Sequence, residues 1–432
     1  MSEGTRLPEI VAPVPGPESV ALVDVLARHE SPGVTARRAR MGEARGVGRD
    51  PIVWAKSRGA NVWDADGNRY VDLCAGFGVA AIGHGHPKVV EAVQSQAATL
   101  THSMGDVYPN APRIQLMERL AQRAPGELSQ CILGLNGSDA VEAALKTAAV
   151  FTGKPGVLAF WGSYHGLSYG ALAATAYKDG FRRPFQGQMG GHVTHLPFGI
   201  DIEVIDALLT GPATGGESIG AILLEPIQGR GGEVVPPAGW LSGLRSLADR
   251  HGVALVFDEI YTGLGRTGQW WGGDHEGVVP DILTVGKALG GGMPLSACVA
   301  RPDVMAAWTM AGGEAIHTAT FLGHPVCAAA GLASLEVLEA LDAPAAARHV
   351  EAAFRGRFGD RIRGRGAMLG LEFSSEDPPG ESNRVAGELL KAGWIVLPGG
   401  LQGEILSITP PLVISDVQLE GALTAIEAAL AS

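Results

Sequence analysis

The stretch Val253-Ala-Leu-Val-Phe-Asp-Glu-Ile-Tyr-Thr-Gly-Leu-Gly-Arg-Thr-Gly268 opens with five apolar residues and continues into two carboxylates and three glycines. An apolar run of this length is typical of a central parallel strand that is buried on both faces. Open α/β sheets bind ligands at the carboxyl ends of their strands, which is where Asp258 and Glu259 stand. An Asp after a strand often caps a helix instead, but the following glycines favour an irregular loop. The stretch therefore predicts an α/β sheet with a ligand-binding carboxylate, Asp258, at its edge.

A lysine with an apolar setting lies further along the chain. Lys287 follows the apolar run Ile282-Leu-Thr-Val and precedes Ala-Leu-Gly-Gly-Gly, and it is one of only seven lysines in the sequence. Partial desolvation lowers the pKa of an amine and keeps it nucleophilic. Taken alone, such a lysine more often closes a strand at the surface. Together, however, Lys287 and Asp258 are the groups that hold pyridoxal phosphate, because the lysine forms a Schiff base and the aspartate keeps the pyridine nitrogen protonated.

A third segment has the features of a phosphate site. Cys131-Ile-Leu-Gly-Leu has the pattern of a short strand, Asn136-Gly-Ser that of a turn, and the residues from Asp139 onward are strong helix formers. A strand, a glycine turn and a helix start together direct main-chain N–H groups and the positive end of the helix dipole at an anion. Ser138 is interpreted as an N-cap, as a phosphate ligand, or as both.

Seven blocks of sequence occur in a fixed order between about Trp54 and about Ile414. The blocks are Asn136-Gly-Ser-Asp-Ala-Val-Glu-Ala-Ala-Leu-Lys, Gly162-Ser-Tyr-His-Gly, Leu224-Glu-Pro-Ile-Gln-Gly, Asp258-Glu-Ile-Tyr-Thr-Gly-Leu-Gly-Arg-Thr-Gly, Gly286-Lys-Ala-Leu-Gly-Gly-Gly, Thr320-Phe-Leu-Gly-His-Pro and Pro410-Pro-Leu. In this order the chain resembles the class III pyridoxal-phosphate aminotransferases. That family includes ornithine, 4-aminobutyrate and ω-amine aminotransferases and the glutamate-1-semialdehyde aminomutases.

The resemblance implies roles for individual residues. Lys287 matches the Schiff-base lysine and Asp258 the partner of the pyridine nitrogen. The other residues that it places around the cofactor are Gly137 and Ser138 at the phosphate, Tyr164 stacked on the ring with His165 beside it, Ile260 on the opposite ring face, Glu225, and Tyr261 near the ring 3′-oxygen. Thr320 would reach the phosphate in the neighbouring subunit, which implies a homodimer with shared active sites. From the residues alone, Tyr164 and Ile260 are equally compatible with a place in the core.

Two positions depart from the family pattern. Relatives that act on ornithine or 4-aminobutyrate usually carry an arginine where this chain has Ser407, and 4-aminobutyrate enzymes often carry another where it has Leu167. The resemblance gives Glu225 the first of these arginines as its partner. An unpaired buried carboxylate is costly, so their absence favours an amine or amino-alcohol donor. The arginine-rich segment 36–45 is either a substitute source of charge or, more commonly for such runs, a solvated face.

Three classes of function follow from these residues. We expect an aminotransferase that moves an amino group from an amine or ω-amino donor to a 2-oxo acid such as pyruvate. A pyridoxal-phosphate-dependent racemase, epimerase or aminomutase would use the same lysine and aspartate. A non-catalytic cofactor-binding module is disfavoured by the complete set of motifs.

Composition limits the alternatives. The chain has 432 residues, 46% of them hydrophobic, and a formal net charge of −12, which argues against a nucleic-acid partner. Its four cysteines are scattered without metal-ligand spacing, so we expect neither a metal site nor disulfides. No apolar run reaches the roughly 18 residues of a membrane helix, and the start lacks a signal-peptide pattern. A cytoplasmic protein without a membrane partner is expected.

The order of predicted elements indicates three segments. Residues 1–83 are expected to form an arm with one helix near residues 19–30 and a hairpin around Asp66-Gly-Asn. Residues 84–325 alternate helices with short apolar strands, which predicts a mostly parallel sheet with helices on both faces. Residues 326–432 would form a smaller α+β lobe with the amino-terminal segment. The resemblance implies fold type I of the pyridoxal-phosphate enzymes for the whole.

Overall fold

The computed structural model describes residues 3–49, 51–211, 215–310 and 315–432. The strands are β1 (Trp54–Arg58), β2 (Asn61–Asp64), β3 (Arg69–Asp72), β4 (Gln130–Gly134), β5 (Gly156–Phe160), β6 (Val193–Leu196), β7 (Ile219–Leu224), β8 (Ala254–Asp258), β9 (Ile282–Val285), β10 (Ser296–Ala300), β11 (Ile362–Arg365), β12 (Met368–Glu372), β13 (Trp394–Ile395), β14 (Leu397–Gly399) and β15 (Ile405–Ile408).

The helices are α1 (Pro17–His29), α2 (Pro32–Ala44), α3 (Ala75–Gly78), α4 (Pro87–Thr99), α5 (Ala111–Arg123), α6 (Gly137–Thr152), α7 (Tyr169–Ala174), α8 (Asp179–Arg182), α9 (Ile202–Thr210), α10 (Trp240–His251), α11 (Pro302–Met305), α12 (Pro325–Ala340), α13 (Ala343–Phe358), α14 (Pro378–Lys391) and α15 (Asp416–Ala431). Within the described ranges, no helix combines the length and the hydropathy that crossing a membrane requires.

The chain divides into two compact units. The central unit comprises Pro87–Ala345, and the terminal unit comprises Met1–His86 with Ala346–Ser432. The sequence placed the second boundary at 325/326, twenty residues earlier. The difference arises from α12, which packs against α4 and α5 in the central unit. This helix is buried nearly all round, so its own pattern does not reveal which body it joins.

A seven-stranded sheet forms the middle of the central unit, in the order β4-β10-β9-β8-β7-β5-β6. β6, β5, β7, β8 and β9 pair in parallel, whereas β10 runs antiparallel to both β9 and β4. The prediction of a mostly parallel sheet is confirmed.

Alternate residues of the central strands enter two different cores. Leu223 and Val256 pack into a core with the small residues of α6 and α7. Their neighbours Leu224 and Phe257 pack into a second core with α9 and α10. Because each strand is covered on both faces, its sequence is a continuous apolar run rather than an alternating one. The parallel direction also puts the carboxyl ends of β5, β7, β8 and β9 at one edge of the sheet.

The terminal unit contains two four-stranded sheets, β1-β2-β3-β13 and β11-β12-β15-β14. The predicted hairpin is present as β2 and β3. The arm contains two helices, whereas the sequence predicted one. The second helix, α2, follows α1 and includes most of the arginine-rich segment. No residue of α2 is buried, so the segment lacks the apolar stripe by which an amphipathic helix is recognised.

The turn between β2 and β3 is built on the buried carboxylate of Asp64. Its Oδ1 accepts hydrogen bonds from the main-chain N–H groups of Asp66 and Asn68, at 3.0 and 2.8 Å. Its Oδ2 accepts from the side-chain amide of Asn68 and the hydroxyl of Tyr70, at 2.9 and 2.7 Å. One carboxylate therefore satisfies four donors of the turn.

We expect Asp64→Ala to destabilise the terminal unit, because a buried donor without an acceptor costs roughly 1–3 kcal/mol. Losses within one network are not additive, so the expected decrease in the free energy of unfolding is about 3 kcal/mol. Thermal denaturation followed by circular dichroism measures it. Asp24→Ala, on an exposed position of α1, is the matched control and should shift stability by less than about 0.5 kcal/mol. Equal melting temperatures for the two variants would refute the role of Asp64.

Candidate active site

Lys287 lies directly beyond the carboxyl end of β9. It is the first residue of a 3₁₀ turn, Lys287–Gly290, and its φ of 39° lies in the left-handed region that side chains avoid. Strained backbone of this kind costs about 1–3 kcal/mol and occurs preferentially at functional sites. Burial lowers the pKa of the Lys287 ammonium, while the carboxylates of Asp258 and Glu225 oppose the shift. The lowered pKa and the burial of this amine are the properties that the sequence predicted for Lys287.

Asp258 is the last residue of β8 and is buried. Its Oδ2 lies 2.7 Å from Nδ1 of His165, which is also buried. Its Oδ1 accepts from the main-chain N–H of Ile260 at 3.1 Å and from the hydroxyl of Thr284 at 3.2 Å. The main-chain N–H of His165 donates a hydrogen bond to Thr175 Oγ1 at 2.9 Å, which helps to fix the position of this residue. These contacts hold the carboxylate in one orientation.

Glu259, the second carboxylate of the loop, has a different role. Its oxygens accept hydrogen bonds from the N–H groups of Gly272 and Gly273, at 2.8 and 3.0 Å, and from the hydroxyl of Thr262. Burial raises the pKa of Glu259 to about 7, and these donors oppose the shift. Glu259 therefore joins two parts of the loop, and Asp258 is the carboxylate of the site.

Glu225 follows β7 and is held by main-chain amides. Its Oε1 accepts from the N–H of Tyr164 at 3.0 Å, and its Oε2 from the N–H of Gly229 at 2.9 Å. Burial raises the pKa of this carboxyl, and the nearby His165 opposes the shift. Both oxygens are thus used to position Tyr164 and the loop after β7, in a chain that has Ser407 where the family's arginine partner would stand.

The segment expected to bind phosphate begins α6 at the same edge. Asn136 caps the helix, its side chain accepting from the N–H of Asp139, and Ser138 Oγ accepts from the N–H of Leu167 at 3.1 Å. The first N–H groups of a helix have no acceptor within it and attract anions. A Cβ on Gly137 would lie 2.9 Å from Ile260 Cδ1. A larger residue at Gly137 would therefore require the Ile260 side chain to shift.

Most of the predicted residues converge on this edge. Lys287 Nζ lies over the ring of Tyr261, 4.3 Å from its centroid, and Ile260 approaches both Gly137 and Gly286. Thr320 is exposed on the segment before α12, and no hydrogen bond or ion pair between described residues joins it to the others.

The structure also describes Leu167 and Ser407, the two positions at which relatives usually carry arginines. Leu167 is exposed and follows the His165-Gly pair. Ser407 lies on β15 in the terminal unit, opposite Gly370 of β12 and Leu397 of β14.

Arg230 is a residue of this edge that the sequence did not single out. It lies in the loop after β7, and its guanidinium stands over the ring of Tyr164, 4.5 Å from the centroid. Its charge lowers the pKa of the Lys287 ammonium further. One feature of the sequence could have identified Arg230. It stands five residues after Glu225, beyond the carboxyl end of a buried strand, where α/β sheets bind their ligands.

The chemistry of these groups fits pyridoxal phosphate. The fit requires an amine of lowered pKa, a fixed carboxylate for the pyridine nitrogen and a helix start for the phosphate, and the central unit contains all three. A Cβ on Gly166 would lie 2.1 Å from Ser138 Oγ, so the backbone is also closely packed beside the helix start. Lys287, Asp258 and the start of α6 at Gly137 and Ser138 would hold the cofactor.

Known proteins resemble this chain over most of its length. The chain matches the family Aminotransferase class-III over residues 43–430. It is 38% identical over 388 residues to the acetylornithine aminotransferase of Methanopyrus kandleri, covering 88% of this chain and 95% of that protein. It is 32% identical to the alanine/serine racemase of Pyrococcus horikoshii, covering 98% of this chain and 92% of that protein.

A solved structure resembles the whole fold. The PLP-bound amine transaminase from an uncultivated Pseudomonas species superposes with a TM-score of 0.81 at 30% identity, covering 89% of this chain and 95% of that one. The predictions of a transaminase, of fold type I and of pyridoxal phosphate as cofactor are therefore confirmed. The chain belongs to the class-III aminotransferases and is a pyridoxal-phosphate-dependent transaminase.

Proposed function

We propose that this transaminase moves an amino group from an amine or ω-amino donor to a 2-oxo acid such as pyruvate. The observation that carries the proposal is the uncharged character of Leu167 and Ser407, where relatives that act on ornithine or 4-aminobutyrate usually have arginines. A donor whose far end bears no carboxylate needs no cation at these positions. The names of the similar proteins add two donors to be tested, acetylornithine and simple amines.

The residues of the site have separable tasks. Pyridoxal phosphate, when bound, supplies an electron sink for the carbon that bears the amino group. Lys287 Nζ accepts the proton released from that carbon, and its lowered pKa favours the unprotonated amine that this step requires. Asp258 presents a carboxylate that His165, Thr284 and the Ile260 N–H keep fixed. Glu225 sets the position of the Tyr164 main chain.

A racemase is the second candidate. The specific observation in its favour is the likeness to an alanine/serine racemase across 98% of this chain. Racemases and aminomutases on this scaffold need the same lysine and aspartate, so the residues around Lys287 do not separate them from transaminases. A transaminase and a racemase differ in whether the amino group stays on the cofactor or on the substrate when the product leaves.

The enzyme is proposed to act as a homodimer with shared sites. Two segments of the central unit form a continuous surface, because the rings of His102 and Phe321 lie 5.3 Å apart and Thr318 Oγ1 donates to Asp106 Oδ2. The exposed apolar side chains of this surface are Met104, Val107, Tyr108, Ile316 and Phe321. Exposed apolar patches mark protein interfaces, and Thr320 lies within this one.

We expect Lys287→Ala to lose the visible absorption band of lysine-bound pyridoxal phosphate and to lower turnover by at least about 10³-fold, since general base and nucleophile are removed together. Absorption spectra and transamination assays measure the two effects. Lys154→Ala is the matched control, because this lysine lies in the same unit, just before β5, and donates to His251 O. An unchanged spectrum in Lys287→Ala would refute the assignment of the site.

We expect 1-phenylethylamine alone to convert the bound cofactor stoichiometrically to pyridoxamine phosphate, and added pyruvate to reverse the change and yield alanine. A racemase would instead leave most of the cofactor in its aldehyde state and interconvert L- and D-alanine. Absorption spectroscopy and chiral chromatography distinguish the two. Ready use of 4-aminobutyrate or ornithine as donor would contradict the inference from Leu167 and Ser407.

We expect Val107→Asp to shift the mass in solution from dimer to monomer, because a charge would be buried in the apolar interface. Activity should fall in parallel if the sites are shared. Val204→Asp, on an exposed apolar position of α9, is the control and should leave the mass unchanged. Sedimentation analysis of both variants checks this, and a wild-type protein that is monomeric at assay concentrations would refute the proposal.

A further inference from the structure

Arg230 lies on a loop that is fixed at the edge of the central sheet. Gln228 exchanges two main-chain hydrogen bonds with Val234, both at 3.0 Å, and its side-chain amide donates to Trp161 O at 2.8 Å. Glu225 accepts from the N–H of Gly229, the residue before Arg230. The backbone of Arg230 is therefore anchored beside the carboxyl ends of β5 and β7.

The guanidinium of Arg230 is surrounded by aromatic rings. It lies 4.5 Å from the ring centroid of Tyr164, 4.8 Å from that of Tyr177 and 5.9 Å from that of Phe181. The three rings also contact each other edge-on or tilted, at centroid distances of 6.1 to 6.5 Å. Ring faces attract a cation without using its N–H groups, so the planar donors of Arg230 keep their hydrogen-bonding capacity.

The charge of Arg230 lacks a carboxylate partner among the described residues, which contribute neither an ion pair nor a hydrogen bond to it. Two other arginines of the central unit differ in this respect. Arg245 and Arg301 both donate to the buried carboxylate of Asp281. A half-buried guanidinium without an anion, in a protein of net charge −12, is available to an anionic ligand.

Three features connect Arg230 with the reacting groups. Its positive charge contributes to the lowered pKa of the Lys287 ammonium. It contacts Tyr164, which the resemblance places on the cofactor ring. The positions at which relatives usually carry carboxylate-binding arginines are occupied by Leu167 and Ser407.

We propose that Arg230 binds the carboxylate of the 2-oxo acid acceptor and thereby determines acceptor specificity. The proposal rests on the proposed function and names the residue that recognises its anionic substrate. Guanidinium and carboxylate form paired, charge-assisted hydrogen bonds, and a planar fork aligned by ring faces is already oriented for them. An amine donor has no carboxylate and leaves Arg230 on its rings, so one site accepts both substrates in turn.

The test separates the acceptor from the donor half-reaction. Enzyme loaded with pyridoxamine phosphate is mixed in single-turnover experiments with pyruvate or with acetaldehyde, which is pyruvate with hydrogen in place of the carboxylate. For Arg230→Gln we expect the second-order rate constant for pyruvate to fall about 100-fold, as is typical when one partner of a charged pair is removed. The constant for acetaldehyde should change less than about threefold, and so should that for 1-phenylethylamine with the pyridoxal form.

Two further variants complete the experiment. Arg230→Lys retains the charge without the planar fork and should recover part of the pyruvate rate. Arg183→Gln is the control for loss of an arginine from the same region, because Arg183 is exposed and paired with Asp179. It should leave all three rate constants unchanged.

The outcomes are distinguishable from failure of the proposed function. If Arg230→Gln slows pyruvate and acetaldehyde equally, Arg230 only supports the aromatic rings and the inference is overturned; no effect on either acceptor overturns it as well. If wild-type enzyme fails with 1-phenylethylamine, the proposed donor class is refuted. The pyruvate-to-acetaldehyde ratio still tests Arg230 in that case, because the enzyme is loaded directly with pyridoxamine phosphate.

Discussion

The hydrogen bond between His165 and Asp258 is the interaction on which the active site depends. A buried carboxylate without hydrogen-bonding partners is costly, so Asp258 depends on the groups that surround it at the end of β8. The carboxylate of Asp258 accepts hydrogen bonds from the Thr284 hydroxyl and the Ile260 N–H. The imidazole of His165 lies within hydrogen-bonding distance of it, at 2.7 Å. The left-handed backbone conformation of Lys287 also costs conformational free energy. The packing of the surrounding sheet must offset that cost.

Much of the fold was predictable because its signals are local. The central strands are covered on both faces, so each is a short apolar run, and Asp258 and Lys287 stand where two of these runs end. The edge strand β6 escaped prediction, because none of its four residues is fully buried and it lacks a strong apolar run. The assignment of α12 to one unit depends on its contacts with α4 and α5, which both precede it by more than 200 residues. A helix that is buried all round has no apolar face that would indicate these partners.

The loop after β7 shows where sequence patterns stop being informative. Glu225 matches a family position, but its partners are the main-chain amides of Tyr164 and Gly229, which no side-chain pattern indicates. Arg230 escaped prediction for a related reason. Its contacts are rings of Tyr164, Tyr177 and Phe181, which precede it by about fifty to sixty-five residues, and an arginine in a glycine-rich loop is by itself unremarkable.

The way in which Arg230 is held bears on how one site serves two substrates. An arginine paired with a protein carboxylate must lose that partner before it can bind an anionic substrate, and breaking a buried pair is costly. A guanidinium supported by aromatic faces keeps its charge in place without such a partner. Acceptor binding then adds hydrogen bonds in the plane of the fork and removes none. An uncharged residue at Leu167 and a cation at Arg230 are therefore compatible with each other, since Leu167 suits a neutral donor end and Arg230 an anionic acceptor.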